Sequence, residues 1–156
     1  MVHPNGQPGE HGVVITPRAS AAVVIDGNDI VLARQARYAI DRNVLEIVKG
    51  GADGAESPQD AAERELREEL GVIADRWDAL GIIYEIPSIM QEPVSLFLAR
   101  DIRAVMSQPE DVETIVAVRM PFREAYLAAA RGDINDAVTG LALLRAAQRL
   151  EDERNS

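Results

Sequence analysis

Cysteine is absent from this sequence, which excludes disulfides, thiolate metal ligands and a cysteine nucleophile. Aromatic residues make up only 4% of it against 47% hydrophobic residues, so a core must be built mainly from Ala, Val, Ile and Leu. No apolar run approaches the roughly 20 residues needed to cross a bilayer. Basic residues are in short supply, 16 Lys and Arg facing 26 Asp and Glu for a net charge of −10. That balance argues against a broad basic surface for nucleic acid. It suits multivalent cations, and equally it keeps a chain soluble. The two histidines, His3 and His11, both fall in the stretch from Met1 to Arg18. Pro4, Gly6, Pro8 and Gly9 punctuate this stretch, which lacks the apolar centre of a signal peptide. Residues 1–18 therefore read as a flexible leader and the protein as cytoplasmic, with residues 19–156 as one domain.

Ser20 to Ile25 and Ile30 to Ala33 are apolar β-type runs separated by the turn signal Asp26-Gly27-Asn28-Asp29, which predicts a hairpin. Val44 to Val48 predicts another strand, ending at Lys49-Gly50-Gly51. The clearest helix follows, with Ser57 as N-cap, Pro58 at the first helical position and Asp60 three residues after the cap. Ala62, Leu66 and Leu70 form its buried stripe, and Gly71 ends it. Trp77 to Ile86, Val94 to Ile102 and Thr114 to Met120 predict strands, with Pro87 to Pro93 joining the first two. Helices are predicted from Pro121 through Arg131 and from Ile134 to about Glu153. The mixed order predicts an α+β protein, an α/β/α sandwich around a mixed central β-sheet.

Glu63, Glu65, Glu68 and Glu69 crowd one short stretch of the first helix. Like charges three or four apart cost roughly 0.2–0.5 kcal/mol per pair in an isolated helix, and Arg64 and Arg67 relieve that only in part. A divalent cation would turn the repulsion into coordination, since hard cations take carboxylate oxygens and substrate phosphates. Taken alone, the cluster also reads as a solvated acidic face.

The spacing carries more information. Gly50 is followed by five residues and Glu56, then by seven residues and Arg64-Glu65-Leu66-x-Glu68-Glu69-x-Gly71-Val72. A chance match to that pattern is on the order of 10⁻⁹ per window at average residue usage. It resembles, without departure, the Nudix box, G-x5-E-x7-R-E-U-x-E-E-x-G-U with U apolar. Gly50 and Gly51 let the backbone turn and come close to a metal or phosphate, and Arg64 can fix a carboxylate by a bidentate bond. The resemblance implies a hydrolase that uses Mg²⁺, with Mn²⁺ as the alternative, to polarise a phosphoryl oxygen and activate a water. It implies Glu65 and Glu69 as the principal metal ligands, Glu68 nearby, the Gly50 carbonyl as a further ligand, and Glu56 as a brace.

More of the chain resembles the ADP-ribose pyrophosphatase and ADP-compounds hydrolase branch. Arg34-Gln35-Ala36-Arg37-Tyr38 is similar to that branch's R-Q-x-R-Y strand. Leu45-Glu46-Ile47-Val48-Lys49-Gly50-Gly51 is similar to its entry to the box, and Lys49 matches the ADP-compounds variant. Pro109 to Ile115 is similar to its acidic loop, which implies Glu113 as a further metal ligand or general base, with Glu110 and Asp111 as neighbours. Arg34 and Arg37 are candidates to bind substrate phosphates; three apart on a strand, they point to opposite faces, so one of them serves. Lys49 is a third candidate, and for each a solvated surface role is the alternative. Tyr84, Met90 and Phe97 read as core or dimer surface rather than as base-stacking residues. The implied reaction cleaves a phosphoanhydride bond in a nucleoside diphosphate-linked small molecule. ADP-ribose or a related ADP-sugar or dinucleotide would give AMP and a phosphorylated moiety. The alternatives are a nucleoside triphosphate, a dinucleoside polyphosphate, GDP-mannose, or a nucleotide-sensing module that does not cleave. Relatives of the branch complete their pockets across a two-fold interface, which implies a homodimer.

Overall fold

The computed structural model describes residues 1–106 and 115–156. The loop acids Glu110, Asp111 and Glu113 and the predicted strand start at Thr114 lie outside them. In chain order the strands and helices are β1 (Val14–Ile15), β2 (Ala19–Asp26), β3 (Asp29–Arg37), β4 (Arg42–Glu46), β5 (Val48–Gly51), α1 (Pro58–Leu70), β6 (Val72–Tyr84), β7 (Met90–Gln91), β8 (Pro93–Ala104), β9 (Val116–Pro121), α2 (Phe122–Arg131) and α3 (Ala137–Arg154). The expected hairpin is β2–β3, paired antiparallel from Val24↔Val31 to Asp26↔Asp29.

The main sheet runs β4-β3-β2-β8-β6, with β5 on β2 and β9 on β3. It is mixed, because β2 and β8 pair in parallel while the other pairings within it are antiparallel. Alternation along β2 divides its apolar residues between two faces. Ala21, Val23 and Ile25 pack with Ala125 and Ala128 of α2 and with Val138, Ala142 and Leu143 of α3. Ala22 and Val24 pack with Ala62 and Leu66 of α1. The predicted α/β/α sandwich of the α+β class follows: one helix covers one face of the sheet and two cover the other. Leu66 is fully buried, which anchors α1 by roughly 1.5–3 kcal/mol.

Several boundaries differ from the sequence expectation. The single strand predicted over Val44 to Val48 is two, β4 pairing with β3 and β5 with β2. Along one edge β2 bonds first to β5 and then to β3, so β2 and β3 diverge and β4–β5 fills the wedge. β6 begins at Val72, directly after the α1 cap, rather than at Trp77, and β3 continues past Ala33 to Arg37. α3 begins after Asp136, whose carboxylate accepts from the Thr139 N–H at 2.8 Å. Near the N-terminus, Val14–Ile15 pairs in parallel with Met90–Gln91.

The far end of α3 is held by charge. Arg100 on β8 donates to Glu153 at 2.7 and 2.9 Å and also to Asp78, and Arg149 donates to Asp78 at 2.8 Å. Hydrogen bonding to Arg100 holds the Glu153 carboxyl below the usual carboxylate range, against the opposing effect of burial. Among the described residues no helix is long and apolar enough to cross a membrane.

Candidate active site

The helix carrying the glutamates is positioned at both ends by local chemistry. The Ser57 hydroxyl accepts from the Asp60 N–H at 3.1 Å, capping the first turn. Gly71 closes the last turn in the left-handed region, φ 62°, where a side chain would be strained. Ala61, Ala62 and Leu66 are buried, while Glu63, Arg64, Glu65, Glu68 and Glu69 are half-buried along the rest of the helix.

Arg64 organises the site. Its Nε and Nη2 donate to both oxygens of Glu56, each at 3.3 Å, a side-on bidentate pair. Nη2 also donates to the Gly51 carbonyl at 2.7 Å. Nη1 donates to Glu65 at 2.8 Å and to Glu68 at 2.9 Å. One guanidinium thus ties the loop to the helix and gathers three carboxylates. Burial alone would lower the Arg64 pKa, but its bonds to Glu56, Glu65 and Glu68 outweigh that and the net shift is upward. Glu56 accepts the Asp53 N–H at 3.0 Å; that bond and those from Arg64 hold its carboxyl below the ordinary value.

Gly50 meets Glu65 directly. A Cβ placed on Gly50 would lie 1.9 Å from a Glu65 oxygen and 2.0 Å from its carboxyl carbon. The carboxylate therefore occupies the space a side chain at position 50 would fill, and glycine is required by close approach rather than by its backbone angle. A Cβ on Gly51 would meet nothing within 4 Å.

The structure brings Gly50, Arg64, Glu65 and Glu68 together and puts Glu69 one turn beyond Glu65. The other candidates lie elsewhere. Lys49 turns to the opposite side of β5, with Nζ 3.2 Å from Glu85 and 3.9 Å from Asp136. Arg37 donates to Glu46 at 2.8 Å. Alternation along β3 puts Arg37 with Val31 on the α1 face and Arg34, exposed, with Leu32 on the other. Two positioning residues escaped the sequence reading. Glu46 is only 3% exposed, and the signal for it was a lone acid within an apolar strand. The Thr139 hydroxyl accepts from the Ile47 N–H at 3.0 Å and donates to Asp136 at 2.7 Å, tying the start of α3 to the segment that leads into Gly50.

Among the described residues no three acidic or histidine side chains already converge as a metal site, since Glu65 and Glu68 direct oxygens at Arg64. The donor chemistry nevertheless fits a hard cation. Carboxylates share one side of α1, and one of them lies against a bare glycine backbone that leaves room for close approach.

The NUDIX domain family matches residues 16–139, and the chain belongs to the Nudix family. Within it the similarity is to the ADP-ribose pyrophosphatase-like branch. The chain is 27% identical over 143 residues to an ADP-ribose pyrophosphatase of Bacillus subtilis, covering 90% of this chain and 77% of that one. It is 34% identical over 125 residues to an ADP-ribose pyrophosphatase of Mycobacterium tuberculosis, covering 77% of this chain and 60% of the relative. A crystal structure of an ADP compounds hydrolase superposes with a TM-score of 0.80 at 26% identity, covering 87% of this chain and 74% of that chain.

Proposed function

We propose that this chain is a hydrolase of ADP-linked compounds, cleaving a phosphoanhydride bond of ADP-ribose or a related ADP-sugar or dinucleotide with Mg²⁺ as the working cation. The observation that carries the reading is the Gly50–Glu65 contact beside the Arg64-held carboxylates, within a fold similar to that of the ADP compounds hydrolase. Glu65, Glu68, Glu69 and the Gly50 carbonyl would hold the cation, with Glu113 as a further ligand or general base. When bound, the cation supplies charge neutralisation at the pyrophosphate and activation of water. The chain's own residues supply position. Arg64 fixes Glu65 and Glu68, Glu56 fixes Arg64 through the loop, and Gly50 leaves room for a carboxylate at the strand end. Arg37, on the α1 face, is the proposed phosphate contact, where it would exchange its Glu46 partner for substrate oxygens; Arg34 and Lys49 lie on the opposite side of the sheet and keep a surface role.

The test is turnover of a substrate panel with Mg²⁺ and with chelator. ADP-ribose is expected to be cleaved to AMP and ribose 5-phosphate faster than a nucleoside triphosphate, a dinucleoside polyphosphate or GDP-mannose, and not at all under chelation. Faster cleavage of any non-ADP compound would replace the substrate, and no cleavage of any would leave a sensing module.

We also propose a homodimer. Supporting it, Val14, Ile15 and Ile82 are 52%, 75% and 61% exposed, and β6 is an edge strand of the sheet. Apolar surface of this kind marks contact sites, and a stable interface would bury about 1,200–2,000 Å². Light scattering at micromolar concentration is expected to give twice the 17.0 kDa chain mass; a single-chain mass with full activity would show that each subunit works alone.

A further inference from the structure

The sheet face beneath α1 is mostly apolar. Ala22, Val24, Val48 and Phe97 line it under Ala62 and Leu66 of the helix. Ser20 lies on the same face, because alternation along β2 puts it on the side of Ala22 and Val24. The residue is only 1% exposed, and its hydroxyl is buried with no hydrogen-bond partner among the described residues. A hydroxyl buried without a partner is costly. Small size does not explain it, since Ala19, Ala21 and Ala22 around it are buried alanines, and a further alanine would fill position 20 without the cost.

Register places this hydroxyl beside the glutamate site. Ser20 pairs directly with Gly50 across β2 and β5. Directly opposite residues point to the same face, with Cβ positions about 4.5–5.5 Å apart. Gly50 has no side chain, and the Glu65 carboxylate takes up that space instead, with its two oxygens 1.9 and 2.6 Å from the ideal Cβ position. The carboxylate of Glu65 therefore stands where the cross-strand neighbour of Ser20 would be. There it accepts from Arg64 at 2.8 Å. A carboxylate has acceptor capacity on both oxygens beyond a single donor.

We propose that Ser20 is a positioning residue for the cation site, its hydroxyl donating to the Glu65 carboxylate when that carboxylate turns from Arg64 to take the cation. The inference rests on the proposed function for the cation and for Glu65 as its ligand. Arg64 orients Glu65 as the residues now stand. A Glu65 oxygen committed to a cation gives up that guanidinium, and the carboxylate then needs another donor to fix its plane. Ser20 supplies one from a buried position, where a hydrogen bond to a charged group is strong. Partners of this kind hold ligating carboxylates in orientation, and losing one typically costs about ten- to hundredfold in metal affinity or activity.

Isothermal titration of Mn²⁺ into chelator-stripped protein tests it in the parent, Ser20→Ala and Ser95→Ala proteins, with thermal melts of the same stripped samples. S20A is expected to melt at the parent's temperature or slightly above, because it deletes an unpaired buried hydroxyl. It is expected to bind Mn²⁺ about tenfold or more weakly. A serine that served only packing would move the melt and leave Mn²⁺ affinity alone. Ser95 lies on the same face but on the far side of Ser20 from Gly50, so S95A should leave Mn²⁺ binding within about twofold. In turnover of ADP-ribose, S20A should raise the Mg²⁺ concentration for half-maximal rate by a factor similar to its loss of Mn²⁺ affinity, and saturating Mg²⁺ should restore most of the parent rate. Mn²⁺ affinity in S20A equal to the parent's overturns the inference, as does an equal loss in S95A or a parent that takes up no Mn²⁺. If the parent cleaves ADP-ribose while S20A binds Mn²⁺ as the parent does, the proposed function stands and the role of Ser20 falls. If S20A weakens Mn²⁺ binding but the parent cleaves no ADP-linked compound, the role of Ser20 stands and the proposed function falls.

Discussion

Glu69→Gln is expected to reduce turnover of the preferred substrate by at least on the order of 10²–10³ while the protein stays folded. The magnitude is that of removing one electrostatic contact from a preorganised site. Glu69 sits on α1 one turn after Glu65, so the two carboxylates share one side of the helix. The side chain is half-buried, and glutamine keeps its shape, so the packing of Leu66 and Ala62 beneath it is undisturbed. The charge is what changes. If Glu69 helps to hold the cation, the variant should also lose the Mg²⁺-dependent rise in melting temperature expected of the parent, because ligand binding to the folded state stabilises it. Parent-level rates across the substrate panel would move the active site away from this helix.

How much of this was legible in advance differs by the range of the interaction concerned. The α1 boundaries were readable because Ser57, Pro58 and Gly71 act within one turn of themselves, and the structure caps the helix with those residues. The split of one predicted strand into β4 and β5 was not readable, since it arises from a change of partner from β3 to β2. The start of β6 was hidden by Asp75 and Arg76, polar residues that break the apolar pattern. In the fold they pair with Arg103 and Glu153 from other elements. The same contrast holds in the site. The spacing from Gly50 to Gly71 located one cluster, because its members lie on a single loop and helix. The partners of Lys49 and Arg37 come from β4, the end of β6 and the cap of α3, and no local pattern announces them. Glu46, which holds Arg37, and Thr139, which ties Ile47 to the start of α3, act between elements that no local pattern joins.

Gly50→Ala should separate activity from stability in opposite directions. The Gly50 backbone lies outside the left-handed region, so alanine can adopt it, and removing a strand glycine typically favours folding by about 0.4–1 kcal/mol. The added methyl would lie 1.9 Å from the Glu65 oxygen, whereas real Cβ contacts essentially never fall below 3.0 Å. The carboxylate must therefore retreat by about 1 Å or more. Because the clashing atoms are the far end of a flexible side chain, the fold survives. The retreat also strains the 2.8 Å bond from Arg64 to Glu65, and through that guanidinium it disturbs Glu68. A displacement of about 1 Å at a reacting centre can cost on the order of 10² in rate, and a loss of that size in kcat/KM is the expected result, with Tm unchanged or slightly raised. Gly51→Ala is the matched control. A Cβ there meets nothing within 4 Å, and the carbonyl that accepts from Arg64 is kept, so the same chemical change one residue away should leave turnover within about twofold. Equal activity in G50A and the parent would mean that the position of Glu65 against the strand is dispensable. Equal losses in G50A and G51A would mean that the loop backbone, rather than the carboxylate, is what the substitutions disturb.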